Sequence, residues 1–203
     1  MGLRAASPER RLTSIASLSG KRVGILPTIA YRRWLEAVLR HAGVDVASVT
    51  IVNVAPAQQS AALASESVDA LLTNDPMATA MLAGGVAEPI AGAPVPSALG
   101  GSLHFGTFIL HPRLSSERPE DARRLAAALD EAIALIQADQ ARARAHMRDF
   151  VRPDERGFVD RYPDARYLPS GEVSDAVLQA EVARETQLGI LDAPIDVTGW
   201  SGP

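Results

Sequence analysis

Along the first half of the chain, short apolar runs alternate with segments whose apolar positions recur at helical spacing. Lys21 to Leu26, with Val23, Ile25 and Leu26 apolar behind the turn Ser19-Gly20, reads as a strand of a sheet covered on both faces. From Tyr31 the period changes to one helix face of Tyr31, Trp34, Leu35, Val38 and Leu39, with Thr28 placed to cap its start and Gly43 to end it. A β-branched run from Ser48 to Val54 leads to Pro56 at a helix's first position and an Ala/Leu helix to about Ser65. Val68 to Thr73 is a third apolar run. It is followed by Asn74-Asp75-Pro76, where Asp75 can cap and Pro76 can occupy the first turn of a helix that ends at Gly84-Gly85. Successive strand–helix units of this kind predict an α/β fold with a mostly parallel sheet and right-handed crossovers, and Val86 to Ile90 can add another strand.

The pattern then changes. Ala91 to Ser102 carries Gly92, Pro94, Pro96, Gly100 and Gly101, an irregular crossing that reads as the approach to a hinge. Leu103 to Leu110 is again strand-like, and Pro112 ends it. Pro119-Glu120-Asp121 opens a long helix with acids in its first turn and an apolar face of Ala122, Leu125, Ala126, Leu129, Ile133 and Ile136. The rest is a Pro/Arg/Asp-rich loop around Pro153 to Pro169 and a helix near Val173 to Gln187. The expected organisation is a frayed, Arg-rich lead-in over residues 1–17, an α/β ligand-binding lobe over 18–101, and a crossover strand with C-terminal helices over 102–203. No internal repeat or low-complexity tract interrupts it.

Composition narrows the chemistry. With 203 residues and a formal net charge of −4, the chain supports a sizeable core and offers no basic stripe for nucleic acid. There is no cysteine, which removes thiol catalysis, disulfides and Cys-ligated metal. His41, His104, His111 and His146 show no metal-ligand spacing, and no nucleophile elbow, P-loop or dinucleotide fingerprint occurs, so neither metal nor cofactor is expected. No run approaches the roughly eighteen apolar residues of a membrane span, and the N-terminus lacks the apolar core of a signal peptide. What remains is the loop Pro27-Thr28-Ile29-Ala30, at the carboxyl end of a strand and the N-terminus of a helix. In open α/β sheets ligands sit at that edge, and free N–H groups there suit an anionic or strongly polar small molecule.

Four stretches, in order, resemble the periplasmic solute-binding proteins of ABC importers for nitrate, aliphatic sulfonates, taurine and thiamine-pyrimidine precursors. LSGKRVGI resembles the start of that family's second lobe, and ALASESVDALLTNDP its "al..G.vDa....eP" signature. Leu114 to Ile136 resembles the Pro-led helix after the crossover, and LGIL at Leu188 to Leu191 the C-terminal turn. Two departures stand out: Pro27-Thr28-Ile29 replaces a small Gly/Ser loop, and Glu66 stands where the family usually has Gly.

The resemblance implies a type II periplasmic-binding-protein-like lobe with C-terminal helices. It implies ligand contacts at Pro27, Thr28, Ile29 and Tyr31, at Asn53 after the second strand, and at Asn74 and Asp75 after the third. His104, at the start of the returning strand, joins this set as a residue beside the crossover. Each has a plainer role: Asp75 as a helix cap, Asn74 as a turn residue, Tyr31 as core packing and His104 as a structural histidine. The implied function is capture of a small polar or anionic solute for a membrane permease, outside the cytoplasm. The rival is an enzyme on the same fold in thiamine-pyrimidine or menaquinone biosynthesis. By the same resemblance a signal peptide and the first half-lobe would precede this chain. The helix carrying Leu125, Leu129, Ile133 and Ile136 would then lack part of its partner sheet, which predicts self-association.

Overall fold

A computed structural model describes residues 2–5, 12–101 and 103–201. The chain divides into two compact units, Met1–Leu103 and His104–Pro203. In the first, five strands form one sheet: β1 (Gly2–Ala5), β2 (Arg22–Ile25), β3 (Thr50–Asn53), β4 (Ala70–Leu72) and β5 (Ala87–Ala91), in the order β3-β2-β4-β1-β5. Its helices are α1 (Ile29–His41), α2 (Gln59–Ala64), α3 (Met77–Ala83) and α4 (Pro94–Ala98). β2 pairs parallel with both β3 and β4, Ile25 lying opposite Asn53 on one side and Leu72 on the other. The three expected strand–helix units are therefore present, and their carboxyl ends share one edge of the sheet.

Strand alternation sends neighbouring residues of β2 and β4 to opposite faces, where each face has its own core. Val23 and Ile25 of β2, with Ala70 and Leu72 of β4, pack against Leu35, Val38 and Leu39 of α1. Leu71 of β4 points the other way, into a cluster with Val54, Leu63, Val68, Ala78 and Met81 from the α2 and α3 side. Gly24 faces this second cluster because nothing larger fits: a Cβ there would lie 2.5 Å from Leu71 Cδ2 and 3.1 Å from Val54 Cγ2. At the opposite end of the strands the Asp69 carboxylate accepts the Arg22 backbone N–H at 2.8 Å and the Arg22 Nε and Nη2 groups at 3.1 and 3.0 Å. The same guanidinium donates to the Glu66 carbonyl at 2.6 Å. Glu66 has φ of +56°, the single non-glycine with positive φ among the described residues, which accounts for the preference for Gly at this place.

Two expectations fail. The segment 1–17, read as a frayed lead-in, contributes β1, which lies inside the sheet and runs antiparallel to β4 and β5. Leu12 and Leu18 are buried in the α1-side core. Four residues without a long hydrophobic run carry little periodic signal, so this strand exists because two neighbours supply its hydrogen bonds, not because of its own pattern. Conversely, Leu103 to Leu110 forms no strand. Its β-forming composition meets no ladder among the described residues, and Phe105, Phe108 and Ile109 are exposed.

The second unit is helical: α5 (Pro112–Glu117), α6 (Pro119–Ala138), α7 (Gln140–Met147) and α8 (Asp175–Gln187). On the apolar face of α6, Ala122 and Ile133 are buried, whereas Leu125 remains exposed, so this face is only partly covered among the described residues. Loops are tied to helices by carboxylates. Asp130 of α6 accepts the Ser170 N–H and hydroxyl at 2.7 and 2.6 Å, and Asp175 accepts the Gly199 N–H at 2.8 Å and the Ser201 N–H at 3.1 Å. These bonds hold both carboxyls below the ordinary carboxylate range. No helix among the described residues is long and apolar enough to cross a membrane.

Candidate functional site

The parallel register places Pro27 and Thr28, and Asn74 and Asp75, just beyond the carboxyl ends of β2 and β4, and Asn53 at the carboxyl end of β3. Thr28 is extended, with φ −131° and ψ 153°, and its hydroxyl accepts the Tyr31 N–H at 3.3 Å, the N-cap expected from the sequence. Ile29 and Ala30 precede the first intrahelical bond, so their N–H groups face outward from the helix start. Pro27, Thr28 and Ile29 are all exposed.

Tyr31, on the first turn of α1, reaches across to the β4 turn. Its hydroxyl donates to Asn74 Oδ1 at 2.9 Å, and Asn74 Nδ2 donates to the Asp75 carbonyl at 2.9 Å. Tyr31 is thus both a core residue, 7% exposed, and a polar contact of the strand-end cluster. Its ring tilts at 58° against Trp34, with centroids 5.2 Å apart. Burial pushes its phenol up to about 12. The folded chain therefore keeps the proton in a range where the unfolded chain, titrating near 10, has lost it. Stability attributable to Tyr31 is full below pH 10 and falls as pH rises towards 12. At pH 11 the loss is about 1 to 2 kcal/mol, and Tyr31→Phe should remove that part of the alkaline decline in urea midpoints measured between pH 9 and pH 11.

Asp75 faces its own helix: its carboxylate accepts the Thr79 N–H at 3.1 Å and also the Thr79 hydroxyl, while Pro76, not Asp75, occupies the N-cap position of α3. The Asp75-Pro76 peptide bond is cis. Asn53 ends β3 with an exposed side chain. His104 opens the second unit, where its Nδ1 lies 2.7 Å from Glu181 Oε1 on α8. Of the residues proposed from sequence, the structure joins Thr28, Tyr31, Asn74 and Asp75 through hydrogen bonds or direct succession. Asn53 shares their edge without a bond to them among the described contacts.

Sequence reasoning missed two residues behind this cluster. Gln59, the first residue of α2, and Thr73, the residue after β4, are 0% and 2% exposed, and the Thr73 hydroxyl donates to Gln59 Oε1 at 2.6 Å. A buried glutamine in an Ala-rich helix leaves no periodic signature. The only hint was the position of Thr73 next to Asn74. Among the described residues no three His, Cys, Asp or Glu side chains group closely enough to hold a metal ion.

The fold is shared with known structures. Over 97% of this chain, the alkanesulfonate-binding protein SsuA from Xanthomonas axonopodis pv. citri, bound to MOPS, superposes with a TM-score of 0.67 at 21% identity. The periplasmic aliphatic sulphonate binding protein SsuA from Escherichia coli does so over 98% with a TM-score of 0.71 at 20% identity. The zinc-bound ligand binding component of an ABC-type import system from Staphylococcus aureus covers the whole chain, with a TM-score of 0.72 at 11% identity. This chain spans 67%, 63% and 67% of those three proteins. No curated protein matches it. The fold is periplasmic-binding-protein-like, and residues 4–143 match the family described as NMT1/THI5 like. The chain belongs to the NMT1/THI5-like family.

Proposed function

We propose that the chain is the solute-capturing component of an ABC-type importer, working outside the cytoplasm and handing a small oxyanion, such as a sulfonate, to a membrane permease. The observation that carries this reading is the Tyr31–Asn74 bond beside the start of α1. With the Tyr31 hydroxyl donating to Asn74 Oδ1, the groups the cluster turns outward are mostly donors: the second Nδ2 hydrogen, the Thr28 hydroxyl and the N–H groups of Ile29 and Ala30. A ligand matched to such donors presents acceptor oxygens, as an ionised sulfonate does at any physiological pH. Nitrate and taurine present the same acceptor face and belong to the same proposal. The sulfonate-binding structural neighbours support it.

Calorimetry with methanesulfonate, taurine and nitrate tests the reading. Asn74→Ala is expected to weaken binding of the preferred ligand by about 1 to 3 kcal/mol because it removes a positioned donor, and to cost about 1 to 2 kcal/mol of folding stability because it leaves the Tyr31 hydroxyl without its acceptor. Unchanged affinity would take Asn74 out of the site, and absence of heat with all three anions would sink the proposal.

A second reading, an enzyme on the same fold in thiamine-pyrimidine or menaquinone biosynthesis, is favoured by the family match, which includes biosynthetic members. Turnover of a pyrimidine precursor by the purified chain would establish it over ligand capture.

A further inference from the structure

We infer that Arg32 supplies the charge that selects an anion over a neutral ligand at the strand-end cluster, an inference that rests on the ligand-capture reading above. The groups the cluster turns outward are neutral, and the strand-end loops 26–31, 53–58 and 73–77 hold no lysine, arginine or histidine. Their single charged side chain is Asp75, whose carboxylate is bonded to Thr79. An anion there meets a like charge, and like charges brought close are unfavourable unless a cation offsets them. Neutral donors alone would take an uncharged sulfone as readily as a sulfonate.

Arg32 is the cation that α1 places beside these loops. It follows Tyr31 in the first turn, and its backbone N–H donates to the Thr28 carbonyl at 3.3 Å. A long side chain on a helix lies back over the residues three and four before it, which for Arg32 are Ile29 and Thr28. That is the end where the Thr28 hydroxyl and the outward N–H groups lie. Arg32 is half-buried, yet its guanidinium makes no hydrogen bond or ion pair among the described residues. The carboxylate placed to take it is Glu36, four positions on along the same helix. Glu36 instead pairs with Arg33 at 2.9 Å and with Arg40 at 3.4 Å. Three arginines thus share α1 with one glutamate, and the one left over is the one nearest the strand-end loops. A guanidinium has only donors to offer, in a fork that matches the oxygens of a sulfonate or a nitrate.

Calorimetry on the full 203-residue chain tests this with methanesulfonate and with dimethyl sulfone, a neutral molecule that presents the same sulfonyl oxygens. Arg32→Gln, Arg32→Lys and Arg40→Gln are compared with the parent, and thermal midpoints check that each is folded. Arg40→Gln removes the same charge about two turns along α1, roughly 12 Å away and beyond the screening length in physiological salt. The parent is expected to bind methanesulfonate at least about tenfold more tightly than dimethyl sulfone. Arg32→Gln should lose roughly tenfold to a hundredfold in methanesulfonate affinity, the range for a hydrogen bond to a charged group, and little in sulfone affinity. Arg32→Lys, which keeps the charge and loses the fork, should fall between Arg32→Gln and the parent. Arg40→Gln should bind as the parent does. If Arg32→Gln does not fold, Arg32→Met, which keeps the stem, takes its place under the same criteria. Methanesulfonate affinity within about twofold of the parent in Arg32→Gln overturns the inference and leaves ligand capture standing. Equal losses in Arg32→Gln and Arg40→Gln also overturn it, because net charge and not position would then be acting. A parent that gives no heat with methanesulfonate removes the sulfonate reading and this charge role together.

Discussion

A chain lacking residues 1–5 is expected to lose its five-stranded sheet. β1 lies between β4 and β5, with Gly2, Leu3 and Arg4 opposite Leu72, Leu71 and Ala70 on one side and Gly2 to Ala5 opposite Ala91 to Ala87 on the other. Deletion removes the ladder from both neighbours at once and turns β5 into a strand without a sheet. At about 1 kcal/mol net for each backbone bond, loss of this ladder costs about 5 kcal/mol or more. Folded domains are stable by only about 5 to 15 kcal/mol in total. Urea unfolding followed by circular dichroism should show the truncated chain unfolded or with its midpoint sharply lowered. Leu3→Pro, which deletes one N–H inside the sheet, should move the midpoint the same way by less. An unchanged midpoint for the truncated chain would mean that β5 is held by something other than β1.

Ile25→Ala is expected to be the most damaging single truncation near the site. Ile25 is 0% exposed, belongs to the strand paired on both sides, and packs in the cluster that holds α1 against the sheet. Removing its outer carbons leaves a cavity that a parallel strand between two neighbours cannot close, at a cost of about 2 to 5 kcal/mol. For a chain of this size that corresponds to a fall of roughly 5 to 15 °C in thermal midpoint, read by calorimetric scan. A loss below about 1 kcal/mol would show that the α1 face yields far more readily than close packing allows. Asn74→Ala, which unpairs the Tyr31 hydroxyl without opening a cavity, should lower this midpoint by less, so the pair of variants separates core packing under α1 from the polar contacts at its start.

The positions of the candidate site's main residues were legible in the sequence because they follow from local rules. Thr28 before a helical pattern is a cap, and Asn74-Asp75-Pro76 after an apolar run is a strand-to-helix turn; both features appear at the carboxyl edge of the sheet. Alternating strand and helix periods likewise implied a sheet covered on both faces, which is how the two core clusters lie. Glu66 was marked by comparison of residue types alone, and its positive φ supplies the reason. These features depend on residues within a few positions of one another, so the linear chain carries them.

What the sequence by itself could not determine depends on partners distant along the chain. Gly2–Ala5 becomes a strand only because β4 and β5 stand on either side of it, some seventy to ninety residues away, whereas Leu103 to Leu110, with the stronger strand composition, finds no ladder among the described residues. Tyr31 and Asn74 are 43 positions apart, and nothing in either neighbourhood encodes their bond. Gln59 and Thr73, 14 apart, are brought together only when α2 folds back over β4. Local propensity and periodicity settle which segments become helices and where the strand-end turns fall. Which strand is paired, and which side chains meet at the sheet edge, is decided by long-range hydrogen bonding and burial that exist only once the sheet has closed.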